Sequence, residues 1–260
     1  MKKAFLFLFP TLLFSCTEKE QFITLSDSDV TIFYDGSKQL SVNYSSDELK
    51  SKTYSYSTSD STVVKVNESG LVSGVCIGSA IVKISSNDGK YNDECRFTVS
   101  PKSTLYKEPY TVFGASISTI KSKETRSLYS ETTTSLVYTD TDTDVRNVAY
   151  LFENGKSTSA LVTLTQTNAI ATEVTTFLKE RYQYLGVSSG VYYFKDRKSG
   201  IGAALQINVS FGLSVMYLPS NSSSVPAIKV SEVQLKNNHS KLSTESHFEE
   251  LEKSLRTLTE

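Results

Sequence analysis

Apolar and polar residues alternate at a period of two along much of the chain, the spacing of half-buried β-strands. Residues 30–34 form one such run and close at Asp35-Gly36. Residues 39–44 alternate strictly, and residues 62–66 are β-branched and end at Asn67-Glu68-Ser69-Gly70. Residues 71–74, 80–84 and 96–99 continue the series. Asn87-Asp88-Gly89-Lys90 separates the last two runs, and Asp-Gly supplies the positive φ of a tight hairpin. About seven short strands at this spacing predict a β-sandwich over residues 22–101.

Beyond residue 101 the pattern changes. Pro101 and Pro109 bracket a polar joint. Ser116 is a predicted N-cap for a helix over residues 117–124. Residues 135–138 and 147–152 read as strands, Asn154-Gly155 as a hairpin turn, and residues 159–165 as the return strand. Ile170, Val174, Phe177, Leu178, Tyr182 and Leu185 then fall on one helical face, with Asn168 as cap and Gly186 as stop. Strands follow at residues 191–195, 203–210 and 213–218. Helix followed by antiparallel strands, twice over, predicts an α+β domain at 102–235, helices packed on a sheet. Residues 225–235 form a candidate last strand. Residues 236–260 are a polar tail in which Phe248, Leu251, Leu255 and Leu258 have the spacing of a short amphipathic helix. The whole chain is therefore expected to be mainly β.

The N-terminus carries a different signal. Lys2 and Lys3 precede an apolar run over residues 4–14. A membrane span needs about 20 apolar residues, so this run fits a secretory signal peptide. It ends in Leu13-Phe14-Ser15-Cys16, which resembles the bacterial lipobox, with Phe14 larger than the residue usual there. The resemblance implies a signal peptide at 1–16, a lipidated Cys16 as mature N-terminus and a short polar tether at 17–21. Buried acyl chains contribute about 0.8 kcal/mol per CH₂, enough for several chains to hold a domain that spans nothing. Thr17 is not the aspartate of inner-membrane retention, which favours the outer membrane. Glu18 and Glu20 resemble the acidic export signals of surface lipoproteins in the Bacteroides group.

A second resemblance rests on the first unit. The run Tyr56-Ser57-Thr58-Ser59-Asp60-Ser61-Thr62-Val63-Val64-Lys65-Val66 is followed by Gly70-Leu71-Val72-Ser73-Gly74, then Gly78-Ser79-Ala80-Ile81-Val82-Lys83-Ile84, then Cys95-Arg96-Phe97-Thr98-Val99. This order resembles the group 2 bacterial immunoglobulin-like domains (BIG2) of invasin- and intimin-type adhesins. Tyr56 stands where that family usually has tryptophan. The resemblance implies an Ig-like sandwich acting as spacer and adhesive module, with no catalytic residues. In the second unit, Phe113-Gly114-Ala115-Ser116 and Tyr150-Leu151-Phe152-Glu153-Asn154-Gly155-Lys156 loosely resemble the helix-plus-hairpin repeat of small periplasmic binding modules. Those include the outer-membrane assembly lipoprotein BamE and the β-lactamase inhibitory protein.

An exported chain allows a disulfide, but Cys95 should stand opposite about Val82, and Cys76 lies about six residues earlier. At roughly 3.3 Å per residue that exceeds the ~6 Å disulfide reach, so two buried free cysteines acting as small apolar residues are expected.

Candidate chemistry is sparse. The formal net charge is −1, no basic field for nucleic acid. The two histidines, His239 and His247, both lie in the polar tail, whereas zinc sites and nucleophile–base pairs draw on histidine in a rigid frame. No Gly-x-Ser-x-Gly elbow or His-Glu-x-x-His motif occurs. Gly200-Ile201-Gly202-Ala203-Ala204 lacks the third glycine of a dinucleotide fingerprint and leads into a strand, so it reads as a hairpin. Asp140, Asp142 and Asp144 alternate as in a calcium loop. Val145 and Leu151 occupy the glycine and glutamate positions, which leaves a solvated turn. Asp60-Ser61-Thr62 fits a loose O-glycosylation pattern of Bacteroides-type proteins and coincides with a turn. Tyr106, Tyr110, Tyr138, Tyr150, Tyr182, Tyr184, Tyr192, Tyr193 and Tyr217 either fill a sheet core or present aromatic surface to a ligand. The expectation for each is core.

No catalytic residue, metal ligand or cofactor site is legible, and the binding residues are unknown. The sequence reads as an outer-membrane, lipid-anchored, non-catalytic module that binds a glycan or a protein, touching the membrane through its anchor. An envelope component docking another outer-membrane protein is the alternative. An enzyme in the second unit has no identifiable carboxylate pair to rest on. Mass spectrometry of the mature product should find an acylated N-terminal Cys16; an intact Met1 or a bare thiol there removes the anchor.

Overall fold

Alternate apolar side chains of the first hundred residues meet between facing sheets. The structure is a computed structural model that describes residues 20–208 and 211–220. The expected signal peptide, Cys16, His239, His247, the candidate strand at 225–235 and the expected C-terminal helix fall outside the described residues. In chain order the first unit contains β1 (Ile23–Leu25), β2 (Asp29–Phe33), β3 (Ser37–Gln39), β4 (Val42–Tyr44), the one-turn α1 (Asp47–Lys50), β5 (Tyr54–Thr58), β6 (Val64–Val66), β7 (Leu71–Gly74), β8 (Gly78–Ser86) and β9 (Asn92–Ser100). A four-stranded sheet, β2-β9-β8-β5, faces the three-stranded β3-β7-β6, with β1 and β4 as a separate pair. β2 runs parallel to β9, and the other pairings are antiparallel.

This is the expected Ig-like sandwich. Val82 and Ile84 of β8 and Cys95, Phe97 and Val99 of β9 point into one core with Leu49, Val64 and Val72. Each large apolar side chain so enclosed contributes about 1.5–3 kcal/mol. Cys95 stands opposite Val82, as its distance from the Asp88-Gly89 turn requires, and both thiols are free; Cys95 is buried as expected, whereas Cys76 is only half-buried, because it lies in the loop before β8 outside the sandwich core. One expectation fails: residues 39–44 are not one strand. The chain leaves the three-stranded sheet at Gln39 and joins β1 at Val42, with Leu40 buried at the crossing. Alternation continues through such a bend, so periodicity alone does not detect it.

The second unit contains α2 (Ile117–Lys123), β10 (Ser127–Glu131), β11 (Ser135–Thr139), β12 (Val145–Glu153), β13 (Lys156–Leu164), α3 (Asn168–Lys179), β14 (Gln183–Ser188), β15 (Val191–Lys195), β16 (Ile201–Asn208) and β17 (Gly212–Pro219). All eight strands form one antiparallel sheet, in the order β10-β11-β12-β13-β17-β16-β15-β14. Each half is a helix followed by a four-stranded meander, and the halves join where their last strands pair. The strand order therefore reads the same, half for half, from either edge.

The expectation of a helical layer on a sheet is corrected in proportion: the unit is mostly sheet. At about 4.8 Å between strands the sheet is about 34 Å wide, while two helices of about 10 Å diameter cover about 20 Å. The segment entering the unit closes the remainder. Leu105 and Tyr106 are buried in the same core as Ile120 of α2 and Val174, Phe177 and Leu178 of α3, with Tyr110 and Phe113 packed against it. The supposed polar joint between Pro101 and Pro109 is thus partly core. Its apolar residues are too few and too irregularly spaced to announce this.

Local signals place both helices. The Ser116 hydroxyl accepts the Thr119 N–H at 3.2 Å, as expected of a cap. The cap of α3 is Thr167, whose hydroxyl accepts from Ile170 N–H at 3.2 Å, not Asn168. α3 also ends at Lys179 rather than near Gly186, because Gln183–Ser188 is drawn into the sheet as β14. Tyr182 stays buried there and Leu185 becomes a strand residue. Asn154 and Gly155, at φ 50° and 71°, make the β12–β13 turn as expected.

Gly70 and Gly155 separate two effects. Both have positive φ, but a Cβ at Gly70 meets the Tyr56 ring at 2.7 Å, whereas one at Gly155 meets nothing within 4 Å. Either change to alanine should cost about 1–2 kcal/mol in urea unfolding for the left-handed backbone. Gly70→Ala should cost more than Gly155→Ala by whatever it takes to displace the ring; equal losses exclude Tyr56 packing as a constraint.

Candidate functional site

The eight-stranded sheet has two unlike faces. One carries Tyr150, Val162, Val215, Leu205 and Phe194 under the helices. The other carries the intervening residues. Register aligns six of them in one row across the sheet, Val137, Ala149, Leu161, Met216, Ala204 and Tyr193. An antiparallel sheet facing water on one side normally alternates apolar-in with polar-out. This row breaks the rule, since it holds five aliphatic or thioether side chains and one tyrosine. Leu161 and Ala204 are buried although they belong to neither hydrophobic core, while Val137, Ala149, Met216 and Tyr193 are half-buried. Beside the row lie Leu151, 40% exposed, and the polar Thr163, Ser214 and Gln206. The middle of the strip is enclosed, since Leu161, Ala204, Thr163, Ser214 and Gln206 are all buried; its accessible part is Leu151 with the half-buried Val137, Ala149, Met216 and Tyr193. The signal legible in the sequence was the unbroken run Ala160-Leu161-Val162 in β13, apolar on both faces.

The first edge of the same sheet is also open. All five residues of β10 are exposed, with Leu128 at 43% and Tyr129 at 75%. A register shift between Leu128 and Ser130 bulges the strand at Tyr129. Such bulges blunt an edge against pairing with another strand.

The buried polar groups are arranged as supports. Arg126 donates from Nε to Asp140 at 2.5 Å and from Nη1 to both oxygens of Glu124 at 3.0 Å, and Nη2 reaches the Lys107 carbonyl. The Tyr150 hydroxyl donates to Glu124 at 2.7 Å and accepts the Tyr110 N–H at 2.9 Å. Tyr182 donates to Glu108 at 2.5 Å, and the Tyr106 and Tyr217 hydroxyls bond each other at 2.7 Å. Burial pushes all four phenols up, and Glu124 and Glu108 push Tyr150 and Tyr182 further. For Glu124 and Asp140, burial alone would raise the carboxyls. Hydrogen bonds from Tyr150 and Arg126, with the guanidinium charge, outweigh it and hold both below their ordinary values.

Most sequence candidates are absorbed into structure. Tyr106, Tyr138, Tyr150, Tyr182, Tyr192 and Tyr217 are buried, as expected; Tyr110, Tyr184 and Tyr193 are half-buried. Asp140 and Asp142 accept the N–H groups of Asp142 and Asp144, closing their own turn. Asp60 pairs with Lys198 and accepts from Thr62, which together pull its carboxyl down to about 2. Gly200, at φ 68°, turns β15 into β16. Among the described residues no cluster of His, Cys, Asp and Glu could hold a metal ion, and no helix is long and apolar enough to cross a membrane.

Residues 21–97 match the family model described as bacterial Ig-like domain (group 2). A crystal structure of an intimin mutant from EHEC O157:H7 aligns at 13% identity, covering 73% of this chain and 87% of that chain, at a TM-score of 0.23. Agreement that low carries no argument about how the chain is arranged. No curated protein matches the chain.

Arg126→Leu leaves two carboxylates facing a partly closed site and should cost about 3–5 kcal/mol in urea unfolding. The pH dependence has a definite sign. Glu124, Asp140 and Asp60 have lowered folded values, so their contribution is complete above ordinary carboxylate values and is lost as pH falls through the folded ones. The urea midpoint should therefore hold between about pH 7 and 5 and decline below about pH 4. A midpoint that rises on acidification contradicts the assignment.

Proposed function

We propose that the chain is an exported, lipid-anchored, non-catalytic binding protein of the outer membrane. The Ig-like unit acts as a spacer, and the face of the second sheet opposite α2 and α3 receives a protein partner through its accessible residues around Leu151 and Met216. The observation that carries the reading is the Ig-like sandwich at residues 21–97, whose family model describes a bacterial module. Modules of this kind suggest adhesion or surface binding. We assign the contact to that face because its accessible residues include the 40% exposed Leu151.

The chemistry of that face favours a protein over a glycan. Sugar recognition by stacking calls for aromatic rings presented flat to solvent. Here the row is aliphatic apart from Tyr193, and its borders are short hydroxyls and an amide. A partner with a flat apolar patch and a polar rim fits such a strip. The buried carboxylates support the non-catalytic reading: Glu124, Asp140 and Glu108 are each engaged by Arg126 or Tyr182.

The test applies the mature chain to arrays of host-matrix proteins and of glycans, alongside crosslinking in cells. A protein ligand is expected, with binding weakened about tenfold or more by Leu151→Lys or Met216→Lys in folded variants. Glycan binding indifferent to those changes, or turnover of a substrate, overturns the proposal. A single stoichiometric envelope partner would instead support an assembly component.

A further inference from the structure

We propose that the two units form one rigid body, locked at a corner made by Glu180 and Arg181 just after α3. The inference holds whatever the second unit binds.

The chain between the units has almost no freedom. β9 ends at Ser100, and Pro101 has its φ fixed by its ring. The next two N–H groups are already held. Lys102 N–H donates to Glu180 Oε2 at 2.7 Å and Ser103 N–H to Oε1 at 3.1 Å. The Glu180 side chain is fully buried, and Arg181 Nη1 also donates to Oε1, at 2.7 Å. Arg181 Nη2 returns to the Ser103 carbonyl at 3.1 Å, and its guanidinium lies 3.6 Å from the Phe177 ring centre. The buried charge is therefore paired and hydrogen-bonded on both oxygens, the condition under which a buried carboxylate is tolerated. A flexible linker needs several unpinned residues; here one proline separates two pinned ends.

The same two residues also seat the first unit. The Glu180 carbonyl accepts the Ile77 N–H at 2.8 Å, and the Arg181 carbonyl accepts the Cys76 thiol at 3.2 Å. A further tie joins Lys198, in the β15–β16 turn, to Asp60 in the first unit. The Lys102 ammonium lies 5.9 Å from the Tyr34 ring centre. A single tether leaves two domains free to swivel, the usual state of domains in one chain. These ties come from separate stretches of the first unit, the Asp60 turn, the 76–77 loop, Tyr34 and the end of β9. Together they remove rotation as well as separation. The second unit is thereby held in one orientation relative to the first.

The test is residual dipolar coupling and ¹⁵N relaxation on the mature chain. One alignment tensor and one tumbling time should fit the amides of β2–β9 and β10–β17 together. Inserting Gly-Gly-Ser between Ser100 and Pro101, or substituting Glu180→Ala, should split the fit into two tensors while the core amide shifts of each unit stay in place. Two independent tensors in the unaltered chain overturn the proposal, as does a shared tensor that survives both changes. Because the insertion leaves every core residue intact, a Glu180→Ala variant that failed to fold would not remove the test.

Discussion

Width is the constraint from which the second unit follows. Eight strands make an apolar face that two short helices do not span, and water on the uncovered part would cost burial energy along its whole length. The chain covers the gap with the segment that leads into the unit. Leu105 and Tyr106 become core, and Tyr106 stacks on Phe177 at 4.2 Å. Once that segment is core it can no longer act as a loose connector. The buried Glu180 carboxylate that holds Lys102 and Ser103 completes the same demand at its polar end.

Covering a sheet with a connector and tyrosines brings polar groups inside, and each needs a partner. The phenols of Tyr106 and Tyr217 satisfy each other, Tyr182 finds Glu108, and Tyr150 finds Glu124. Arg126 ties Glu124 to Asp140 and to the connector's Lys107 carbonyl. These contacts tie the connector to β12, to β17, to the end of α2 and to the segment that follows α3. Their directionality restricts how the layers can slide, which the apolar contacts alone do not do.

The opposite face follows another logic. It is not polar, as a solvent-washed face would be, and it is not part of either core. Its strip, buried at Leu161 and Ala204 and half-buried elsewhere, lies on a sheet whose other side is fixed by packing, so its side chains are held on rigid strands rather than on loops. Rigid presentation limits the ordering cost of binding.

The sequence by itself determined the elements whose cause is local. Period-two alternation located most strands, Asp88-Gly89 and Asn154-Gly155 located two hairpins, Ser116 located a cap, and the motif order from Tyr56 to Val99 located the sandwich. It also placed Cys95 against Val82, since a hairpin fixes register by counting. Tertiary structure decided the rest. Whether Gln183–Ser188 continues a helix or joins a sheet depends on an edge being free beside β15. Whether residues 39–44 are one strand or two depends on which sheet lies nearer. The apolar strip is visible only when register brings residues from six strands into line, from Val137 to Tyr193. The Glu180 corner grips mostly main-chain N–H and C=O groups, which every residue carries. Such contacts leave almost no trace in side-chain identity, so only the folded chain reveals them.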